Sequence, residues 1–409
     1  MVLEIRPITD DEYITAYQVC GKAFGEDSNE ENWQAERKWW EADRSLGVWD
    51  GGALVATAGA YSFDLTLPGG TTTPVAGVTW VGVLPTHRRQ GVLRSMMDRQ
   101  LDDVAERGEL IAVLTASEAV IYGRFGYGVA TQKARAELLA ARGSFHVAPE
   151  VGGRFRLLDS DGARKVIPAI HDTWRRTRAG VLSRTDRYWD FWAVDQKDWR
   201  RGASARFVAV HEHEGGSADG YVAYRVKEAY APERPGNTAV VDDVVAVDPS
   251  VEAALFRYVL DIDLIWDLQL EQRPVDDPLR WWLADSRQYR TVRVRDWLWV
   301  RLLDPAAALA TRRYDVEGRL ALGVSDPFRP ANDGVYVVEG GPEGATCQRV
   351  VGVEPDVQLP IDSLGAVYLG GVRLSTLAAA GRVSGDREAL AAADRFLTTT
   401  PDPFCDTGF

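Results

Sequence analysis

The clearest pattern in the chain is an apolar run that leads directly into an amphipathic stretch. Residues 75–83 are apolar apart from one threonine, and their β-branched side chains and glycines are typical of a short strand that contains a bulge. Pro85 interrupts this run. Apolar residues then recur at steps of three and four over 93–104, which predicts a helix that ends near Gly108.

The rest of the N-terminal part alternates between strand and helix patterns. Residues 3–9 alternate like an edge strand, and a helix pattern follows them. An Asp-Gly-Gly turn at 50–52 joins two apolar runs and predicts a hairpin over 46–60. A second apolar strand is predicted at 110–115, and residues 131–140 are expected to complete the sheet. This mixture indicates an α/β domain.

The turn between the first apolar run and its helix has the chemistry of an anion site. Arg88, Arg89 and Gln90 precede Gly91, and the helix pattern begins directly afterwards. Free backbone N–H groups at a helix N-terminus, together with the helix dipole, favour a negatively charged ligand. Gly91 permits close approach of the backbone, and the arginines can bond phosphate oxygens. Taken without its flanks, the same turn fits a solvated basic loop.

The same order of patterns returns in the middle of the chain. A strand pattern at 238–247 precedes a helix pattern at 252–260, but the turn between them begins with Asp248 and holds no glycine or arginine. The helix-capping chemistry is retained, whereas the residues that would bind phosphate are absent. We therefore predict a degenerate repeat of the first domain that binds no nucleotide.

After residue 287 the patterns change to those of a third, α+β domain. Residues 290–300 alternate like a strand, and Pro305 stands near the start of a helix pattern. Further strands are predicted at 318–324, 334–340, 347–353 and 356–360, and helices at 361–369 and 387–397.

Length and composition limit the classes of protein. At 409 residues the chain is long enough for two or three domains. No window of about 18 uncharged apolar residues occurs, so no membrane span is predicted. Charged residues near the start argue against a signal peptide, so we expect a cytoplasmic protein. The net charge of −13 argues against nucleic acid as the main partner. Cys20, Cys347 and Cys405 are scattered, which indicates reduced thiols.

One pair of histidines has a spacing that would permit metal chelation. His211 and His213 are two residues apart on a predicted strand, so their side chains point to the same face. No third ligand is evident, and the segment adjoins a Gly-Gly-Ser loop. We therefore predict a surface loop here, and no metal in the chain.

Two segments carry a resemblance to a known family. Residues 86–94 read Thr-His-Arg-Arg-Gln-Gly-Val-Leu-Arg, and residues 116–128 read Ala-Ser-Glu-Ala-Val-Ile-Tyr-Gly-Arg-Phe-Gly-Tyr-Gly. The first resembles the Q/R-x-x-G-x-G/A pyrophosphate loop of GNAT N-acetyltransferases, except that Leu93 replaces the usual Gly or Ala. Together they resemble the enhanced intracellular survival (Eis) acetyltransferases. The resemblance covers the whole chain in length and layout.

This resemblance implies both a fold and an activity. The fold is α/β (α+β), with two tandem GNAT-like domains at 1–148 and 149–286 and a sterol-carrier-like domain at 287–409. The activity is acetyl-CoA-dependent transfer of an acetyl group to an amine, and the assembly is a homohexamer. The residues that would hold acetyl-CoA are Val81, Gly82, Val83, Arg88, Arg89, Gln90, Gly91, Val92, Leu93, Arg94, Ser117 and Glu118.

The resemblance also implies an acid and a base. Tyr122 matches the tyrosine that protonates the departing thiolate, and a phenol with a pKa of about 10 suits that role. Tyr127 is the nearby alternative, which we assign to packing. Phe409 matches the C-terminal residue whose carboxylate accepts the proton of the amine. Because an α-carboxylate has a pKa of only about 3.5, its surroundings or a water relay must assist it.

The acceptor is expected to be a small amine, and aminoglycosides or other polyamines are candidates. The resemblance assigns Asp27, Trp33 and Trp80 to its pocket, where Asp27, Glu30 or Glu31 attracts ammonium groups and Trp33 gives a flat contact. The alternative for the acidic run at 24–33 is a solvated loop with its tryptophans in the core. Two other functions stay open: acetylation of protein lysines by the same chemistry, and a non-enzymatic lipid-binding or scaffold protein.

Overall fold

The structure of the protein, a computed structural model, describes residues 3–27, 29–140, 143–229 and 236–409. The chain divides into two compact units. The first contains the chain up to Thr131 together with Asp296–Pro403 and Thr407–Phe409, and the second contains Gln132–Arg295 and Phe404–Asp406. In the described ranges no helix has both the length and the apolar character that crossing a bilayer requires.

The first unit has a seven-stranded sheet flanked by helices. Strands are numbered along the chain. This sheet contains β1 (Leu3–Pro7), β2 (Leu46–Asp50), β3 (Ala53–Thr66), β4 (Thr72–Val83), β5 (Ile111–Thr115), β6 (Gly128–Val129) and β14 (Leu298–Leu302), in the order β1-β2-β3-β4-β5-β14-β6. Its helices are α1 (Tyr13–Phe24), α2 (Glu30–Arg37), α3 (Val92–Glu106) and α4 (Ala119–Tyr122).

Helix α3 covers the centre of this sheet, as its apolar spacing predicts. One buried cluster joins Met97, Leu101 and Val104 of α3 to Ala76 and Val78 of β4 and to Ala112 and Leu114 of β5. Burial of each large side chain contributes about 1.5–3 kcal/mol relative to exposure. The helix that begins at the basic turn is therefore fixed on the two strands that precede and follow it.

The sheet opens beyond the middle of β4. Strands β4 and β5 run parallel and pair only over residues 76–78 and 112–114. From there β4 continues to Val83 without pairing to β5. The backbone of β4 beyond residue 78 therefore has no strand partner on its β5 side. This unpaired edge precedes the start of α3.

A smaller sheet completes the first unit. It contains β15 (Gly318–Ser325), β16 (Gly334–Gly341), β17 (Gly344–Val350) and β18 (Val357–Pro360) in the order β17-β16-β15-β18, with helices α9 (Pro305–Thr311), α10 (Ile361–Val367), α11 (Leu374–Ala379) and α12 (Arg387–Leu397). Tyr314 stacks on Phe396 with ring centroids 4.2 Å apart. The strands and helices predicted for this part are present, with α11 as an addition.

The second unit is built on another seven-stranded sheet. It contains β7 (Gln132–Leu139), β8 (Arg154–Leu158), β9 (Phe207–Glu212), β10 (Ala218–Lys227), β11 (Asn237–Ala246), β12 (Ile265–Arg273) and β13 (Arg290–Asp296), in the order β13-β7-β12-β11-β10-β9-β8. Its helices are α5 (Ser160–Arg175), α6 (Asp186–Trp192), α7 (Pro249–Leu260) and α8 (Leu279–Trp282).

The centre of the second sheet repeats the strand–helix–strand order of the first. Strands β11 and β12 are parallel, and α7 lies between them in the sequence. The Asp248 carboxylate accepts a hydrogen bond of 2.7 Å from the Ser250 N–H at the start of α7. A carboxylate therefore stands where the first unit has its arginines.

Two strand predictions differ from the structure in their partners. The strand expected at 131–140 to complete the first sheet is β7, which pairs with β12 in the second sheet. The alternation at 290–300 splits into β13 and β14, and β14 pairs with β5 and β6 in the first sheet. Alternation shows which face of a strand is buried but not which strand lies beside it, so sequence alone did not reveal this exchange.

Candidate active site

The basic turn between β4 and α3 is exposed, and the N-terminus of α3 is open. Gly91 is the N-cap, with a left-handed φ of +84°, and a Cβ atom there would meet no atom within 4 Å. The Ser95 N–H makes a hydrogen bond of 3.1 Å to the Gly91 carbonyl. The N–H groups between these two residues have no acceptor within the helix. The turn therefore has the form of an anion cradle.

The two arginines of this turn have different surroundings. Arg88 donates a hydrogen bond of 2.8 Å from Nη2 to the carbonyl of Ala23, at the end of α1. Arg89 has a left-handed φ of 62°, is exposed, and makes no hydrogen bond or ion pair with any residue that the structure describes. The Arg94 guanidinium lies over the ring of Phe328 at 5.1 Å. Arg89 is thus the guanidinium of the turn that is available to a phosphate.

The bulge expected near the end of β4 is present at Trp80 and Val81. Gly59 of β3 pairs with Thr79, and Thr57 pairs with Gly82, so β4 has one extra residue between these pairs. Trp80 has a left-handed φ of 55°. The Thr57 hydroxyl donates a hydrogen bond of 2.8 Å to the Trp80 carbonyl. The bulge turns the last residues of β4 at the point where the sheet opens.

Tyr122 lies at the end of α4 and faces the core of the first unit. Its residue surface is 6% exposed, and its ring meets that of Tyr127 edge-on, with centroids 6.0 Å apart. Burial raises the pKa of Tyr122 to about 12, with smaller contributions from Cys20 and Glu118. Tyr127 is fully enclosed, and its hydroxyl has no hydrogen-bond partner in the described chain. These observations agree with a packing role for Tyr127.

The last residue of the chain lies beside the end of β5. The Thr115 hydroxyl donates a hydrogen bond of 2.9 Å to the terminal carboxylate of Phe409. The Phe409 ring packs on Phe63, with centroids 5.1 Å apart. A Cβ atom at Gly77 would lie 2.3 Å from the Phe63 ring and 3.2 Å from the Phe409 ring, so glycine at this position of β4 makes room for Phe63, on which Phe409 packs.

Aromatic side chains continue from Phe409 in a connected series, which we call the aromatic wall. Phe63 meets Tyr61 at 6.3 Å, the Trp80 Nε1–H donates a hydrogen bond of 3.1 Å to the Tyr61 hydroxyl, and Trp80 meets Tyr17 at 5.7 Å. Trp39 stacks on Tyr61, with ring centroids 4.1 Å apart. The aromatic wall therefore comprises Phe409, Phe63, Tyr61, Trp39, Trp80 and Tyr17.

The three residues assigned to the amine pocket are not placed alike. Trp80 belongs to the aromatic wall, and Trp33 is half-buried with its ring 6.5 Å from that of Tyr13, which also meets Trp80 at 5.7 Å. Asp27 is exposed and makes no hydrogen bond or ion pair with the described residues. Burial raises the pKa of Tyr17, with smaller contributions from the carboxylates of Glu36 and Glu26, and Glu36 and Glu41 contribute in the same way at Tyr61.

Glu36 is the residue that the sequence interpretation missed. The Tyr17 hydroxyl donates to Glu36 Oε1 at 3.5 Å, and burial raises the pKa of the Glu36 carboxyl to about 7, with Glu26 adding to the rise. Glu36 in turn raises the pKa of Cys20, for which burial is the main cause. Trp33 and Glu36 are three residues apart on α2, a spacing that places them on one helix face and was the available signal.

The remaining predicted residues lie around the opening of the sheet or outside it. Gly82 and Val92 are buried, Val81, Val83 and Leu93 are half-buried, and Gln90, Ser117 and Glu118 are exposed.

In the described chain no group of three or more metal-ligating side chains occurs. His211 is buried in β9 rather than in a surface loop, and both His211 and His213 bond Asp219, at 2.6 Å and 2.7 Å.

Comparison with known families assigns each part of this architecture. Residues 4–130 match a family described as "Acetyltransferase (GNAT) domain", and residues 180–302 match a second family with the same description. Residues 305–406 match "Sterol carrier protein domain". The predicted fold class, two GNAT domains followed by a sterol-carrier-like domain, is therefore confirmed.

Curated relatives give the family of the whole chain. The N-acetyltransferase Eis of Mycobacterium tuberculosis is 32% identical over 386 residues, which cover 92% of this chain and 91% of that protein. The chain belongs to the Eis family of N-acetyltransferases. An uncharacterized N-acetyltransferase of Streptomyces avermitilis is 40% identical over 415 residues, with complete coverage of both chains.

A solved structure of the same family has the same architecture. The crystal structure of Eis1 from Mycobacterium abscessus matches this chain with a TM-score of 0.87 and 33% identity, over the whole of both chains. The predictions of an Eis-type resemblance and of an acetyltransferase enzyme are confirmed. GNAT enzymes as a class use acetyl-CoA, and the open cradle at Gly91 with the exposed guanidinium of Arg89 fits a diphosphate group.

Proposed function

We propose that this Eis-family chain transfers the acetyl group of acetyl-CoA directly to a small amine, with Tyr122 as general acid and the Phe409 carboxylate as base. The observation that carries the proposal is the hydrogen bond from Thr115 to the terminal carboxylate of Phe409. This bond holds the Phe409 carboxylate beside Thr115, the last residue of β5. Thr115 precedes Tyr122 by seven residues in the sequence. In this proposal both groups act at the opening between β4 and β5.

The basic turn and the open strand are the proposed acetyl-CoA site. Acetyl-CoA, when bound, supplies an acetyl group activated as a thioester. In this proposal the N-terminus of α3 and Arg89 hold its phosphates, with Arg88, Gln90, Val92, Leu93 and Arg94 completing the turn. The free edge of β4 at Val81, Gly82 and Val83 bonds the extended arm, and the Val83 N–H is the candidate donor to the oxygen on which charge develops. Ser117 and Glu118 border the same opening.

The two proton transfers follow from the states of the groups. A bond forms between the amine nitrogen and the acetyl carbon, and the carbon–sulfur bond breaks. The amine gives one proton to the Phe409 carboxylate, and Tyr122 gives its hydroxyl proton to the sulfur. A pKa of about 12 keeps Tyr122 protonated at neutral pH, so it carries the proton that the leaving sulfur needs.

Removal of the carboxylate tests the base. Amidation of the terminus by ligation should lower kcat about 10²–10⁴-fold and leave the affinity for coenzyme A nearly unchanged, because only the proton acceptor is lost. Phe409→Ala keeps the carboxylate and removes the ring, so its kcat should fall less. Tyr122→Phe should lower kcat by about 10² or more without weakening coenzyme A binding. Unchanged turnover in the amidated protein would exclude the terminal carboxylate as the base.

The acceptor is proposed to be a cationic amine such as an aminoglycoside or another polyamine. The aromatic wall and its adjoining carboxylates support this, because aromatic faces and carboxylates both attract ammonium groups. A panel of aminoglycosides, polyamines and lysine peptides with acetyl-CoA tests it. Preference for the peptides would instead favour a protein-lysine acetyltransferase.

By family resemblance we further propose a homohexamer, which light scattering coupled to size-exclusion chromatography would measure.

A further inference from the structure

Glu36 is an enclosed glutamate without a cation, unlike most enclosed glutamates of the described chain; Glu41 also has no ion pair there, but its carboxylate accepts hydrogen bonds of 2.9 and 2.6 Å from Ser62. Four glutamates at enclosed positions each have an arginine at 2.6 Å: Glu12 with Arg6, Glu109 with Arg44, Glu212 with Arg156 and Glu252 with Arg273. Glu36 is half-buried, and no lysine or arginine of the described chain is within ion-pair distance of it. Its one hydrogen-bond donor there is the Tyr17 hydroxyl.

Stability does not explain this carboxylate. Enclosure of an anion without a cation is unfavourable, because the lost hydration is not replaced. Glu36 also lies in the last turn of α2, where the helix dipole disfavours negative charge. A group that costs stability and remains open to solvent on one side is typical of a binding site, where the missing partner comes from a ligand.

The groups around Glu36 suit an ammonium ion. The Tyr17 hydroxyl bonds the carboxylate, and the ring of Tyr17 meets that of Trp80 with centroids 5.7 Å apart. Aromatic faces add to the attraction of a carboxylate for a cation.

Aromatic side chains separate Glu36 from the terminal carboxylate in the series of contacts, and Glu36 also acts directly on Tyr61. The contacts run from Phe409 through Phe63, Tyr61, Trp80 and Tyr17 before they reach Glu36. The nitrogen that is acetylated must be neutral and must lie beside the Phe409 carboxylate. A cation at Glu36 is therefore a different nitrogen of the same acceptor.

We propose that Glu36 binds a second ammonium group of the acceptor, the one that is not acetylated, and thereby selects diamines and polyamines over monoamines. This inference rests on the proposed function, since it names the acceptor class of that site. It makes Glu36 a specificity-determining residue, and the proton transfers of the reaction remain with Phe409 and Tyr122.

Calorimetric titration tests the binding step without turnover. The probes are α,ω-diaminoalkanes and the n-alkylamines of the same chain length. We expect the wild-type protein to bind the best diamine roughly ten-fold or more tightly than its monoamine, because a charge-assisted bond to the second nitrogen is added. Glu36→Gln should abolish this preference and leave the affinity for the monoamine unchanged. Glu106→Gln, which removes an exposed carboxylate from α3, is the matched control and should retain the preference.

Kinetics separates selectivity from catalysis. In Glu36→Gln the KM for the diamine should rise roughly ten-fold while kcat stays near the wild-type value. A variant that retains the preference for diamines overturns the inference, and so does a wild-type protein that binds diamine and monoamine equally. A fall of kcat with both amines, at unchanged KM, would assign Glu36 to proton transfer instead. If diamine selectivity depends on Glu36 while no acetyl transfer occurs, the proposed function fails and this inference stands.

Discussion

The Thr115 hydroxyl donates a hydrogen bond of 2.9 Å to the terminal carboxylate of Phe409, which lies 294 positions further along the chain. Thr115 is the last residue of β5, and the sheet holds its backbone. The last residue of a chain is commonly mobile unless it is held. The end of this chain is held by a side chain on the strand that borders the proposed site.

Loss of the Thr115 hydroxyl should impair turnover by displacing the carboxylate. Thr115→Val keeps the shape of the side chain and removes the donor, so we expect kcat to fall about ten-fold, since one hydrogen bond to a charged group is lost. The carboxylate also loses a bond to its charged form, so the acidic limb of the pH–kcat profile should move to higher pH.

Thr115→Ser is the control for this variant, because it restores the hydroxyl. It should recover most of kcat and the wild-type pH profile. Equal losses in Thr115→Val and Thr115→Ser, or a fall of kcat without movement of the pH profile, would assign Thr115 to packing alone.

Arg89 should contribute more than its neighbour to electrostatic capture of the phosphates. Arg89 has no partner in the described chain, whereas Arg88 is bonded to the Ala23 carbonyl. Arg89→Gln should raise the KM for acetyl-CoA about five- to twenty-fold, with little change in the KM for the amine. The increase should shrink at high salt, because the interaction is screened.

Arg99→Gln is the matched control for the phosphate test. Arg99 lies on the same helix, α3, and pairs with Asp103 at 2.8 Å rather than facing the turn. Its substitution removes the same charge and should leave the KM for acetyl-CoA unchanged. If both substitutions raise the KM for acetyl-CoA equally, Arg89 acts only through the overall charge of the protein and not through contact with the phosphates.

Removal of the Glu36 carboxylate should stabilise the protein in a pH-dependent way. Burial raises the pKa of Glu36 to about 7 from an ordinary value of 4.5. Between these values the folded chain holds a proton that the unfolded chain has released. The free energy of unfolding therefore falls as pH rises through this window, by on the order of 1–3 kcal/mol. Glu36→Gln abolishes this loss, so its advantage should grow from pH 4.5 to about pH 7 and then stay constant.

Urea unfolding of wild type and Glu36→Gln across this window measures the effect. The other groups that face Glu36 are the Glu26 carboxylate and the side chains of Tyr13, Tyr17, Cys20 and Tyr61. Burial raises the pKa of the tyrosines and of Cys20, so these groups stay neutral in the window and do not confuse the comparison. An advantage that declines with rising pH would contradict the enclosed position of Glu36.

The sequence was most informative where a local pattern fixes the local structure. The strand, basic turn and helix at 75–108 were predicted because apolar spacing, Pro85 and Gly91 each act within a few residues. The bulge in β4 followed from the glycines of the same run. The position of the terminal carboxylate did not follow from any local pattern, and the family resemblance alone suggested it.

Features that depend on tertiary packing were not predicted. Alternation in 131–140 and 290–300 indicated strands but not that β7 and β14 pair in different sheets. The acidic run at 24–33 drew attention to Asp27, whereas the enclosed carboxylate is that of Glu36, outside the run. Enclosure of Glu36 depends on Tyr17 of α1 and on Trp80 of β4, which only the folded chain brings together.

The insertion of β14 between β5 and β6 has a consequence for biosynthesis. A ribosome finishes the first six strands long before it reaches Leu298, so the nascent N-terminal half waits with an unfilled gap in its sheet. Contacts between segments so distant in sequence form slowly, and an open strand edge invites aggregation in the meantime. We therefore expect the nascent chain to need chaperones until β14 has been synthesised. A gene fragment that stops before β14 encodes an incomplete sheet.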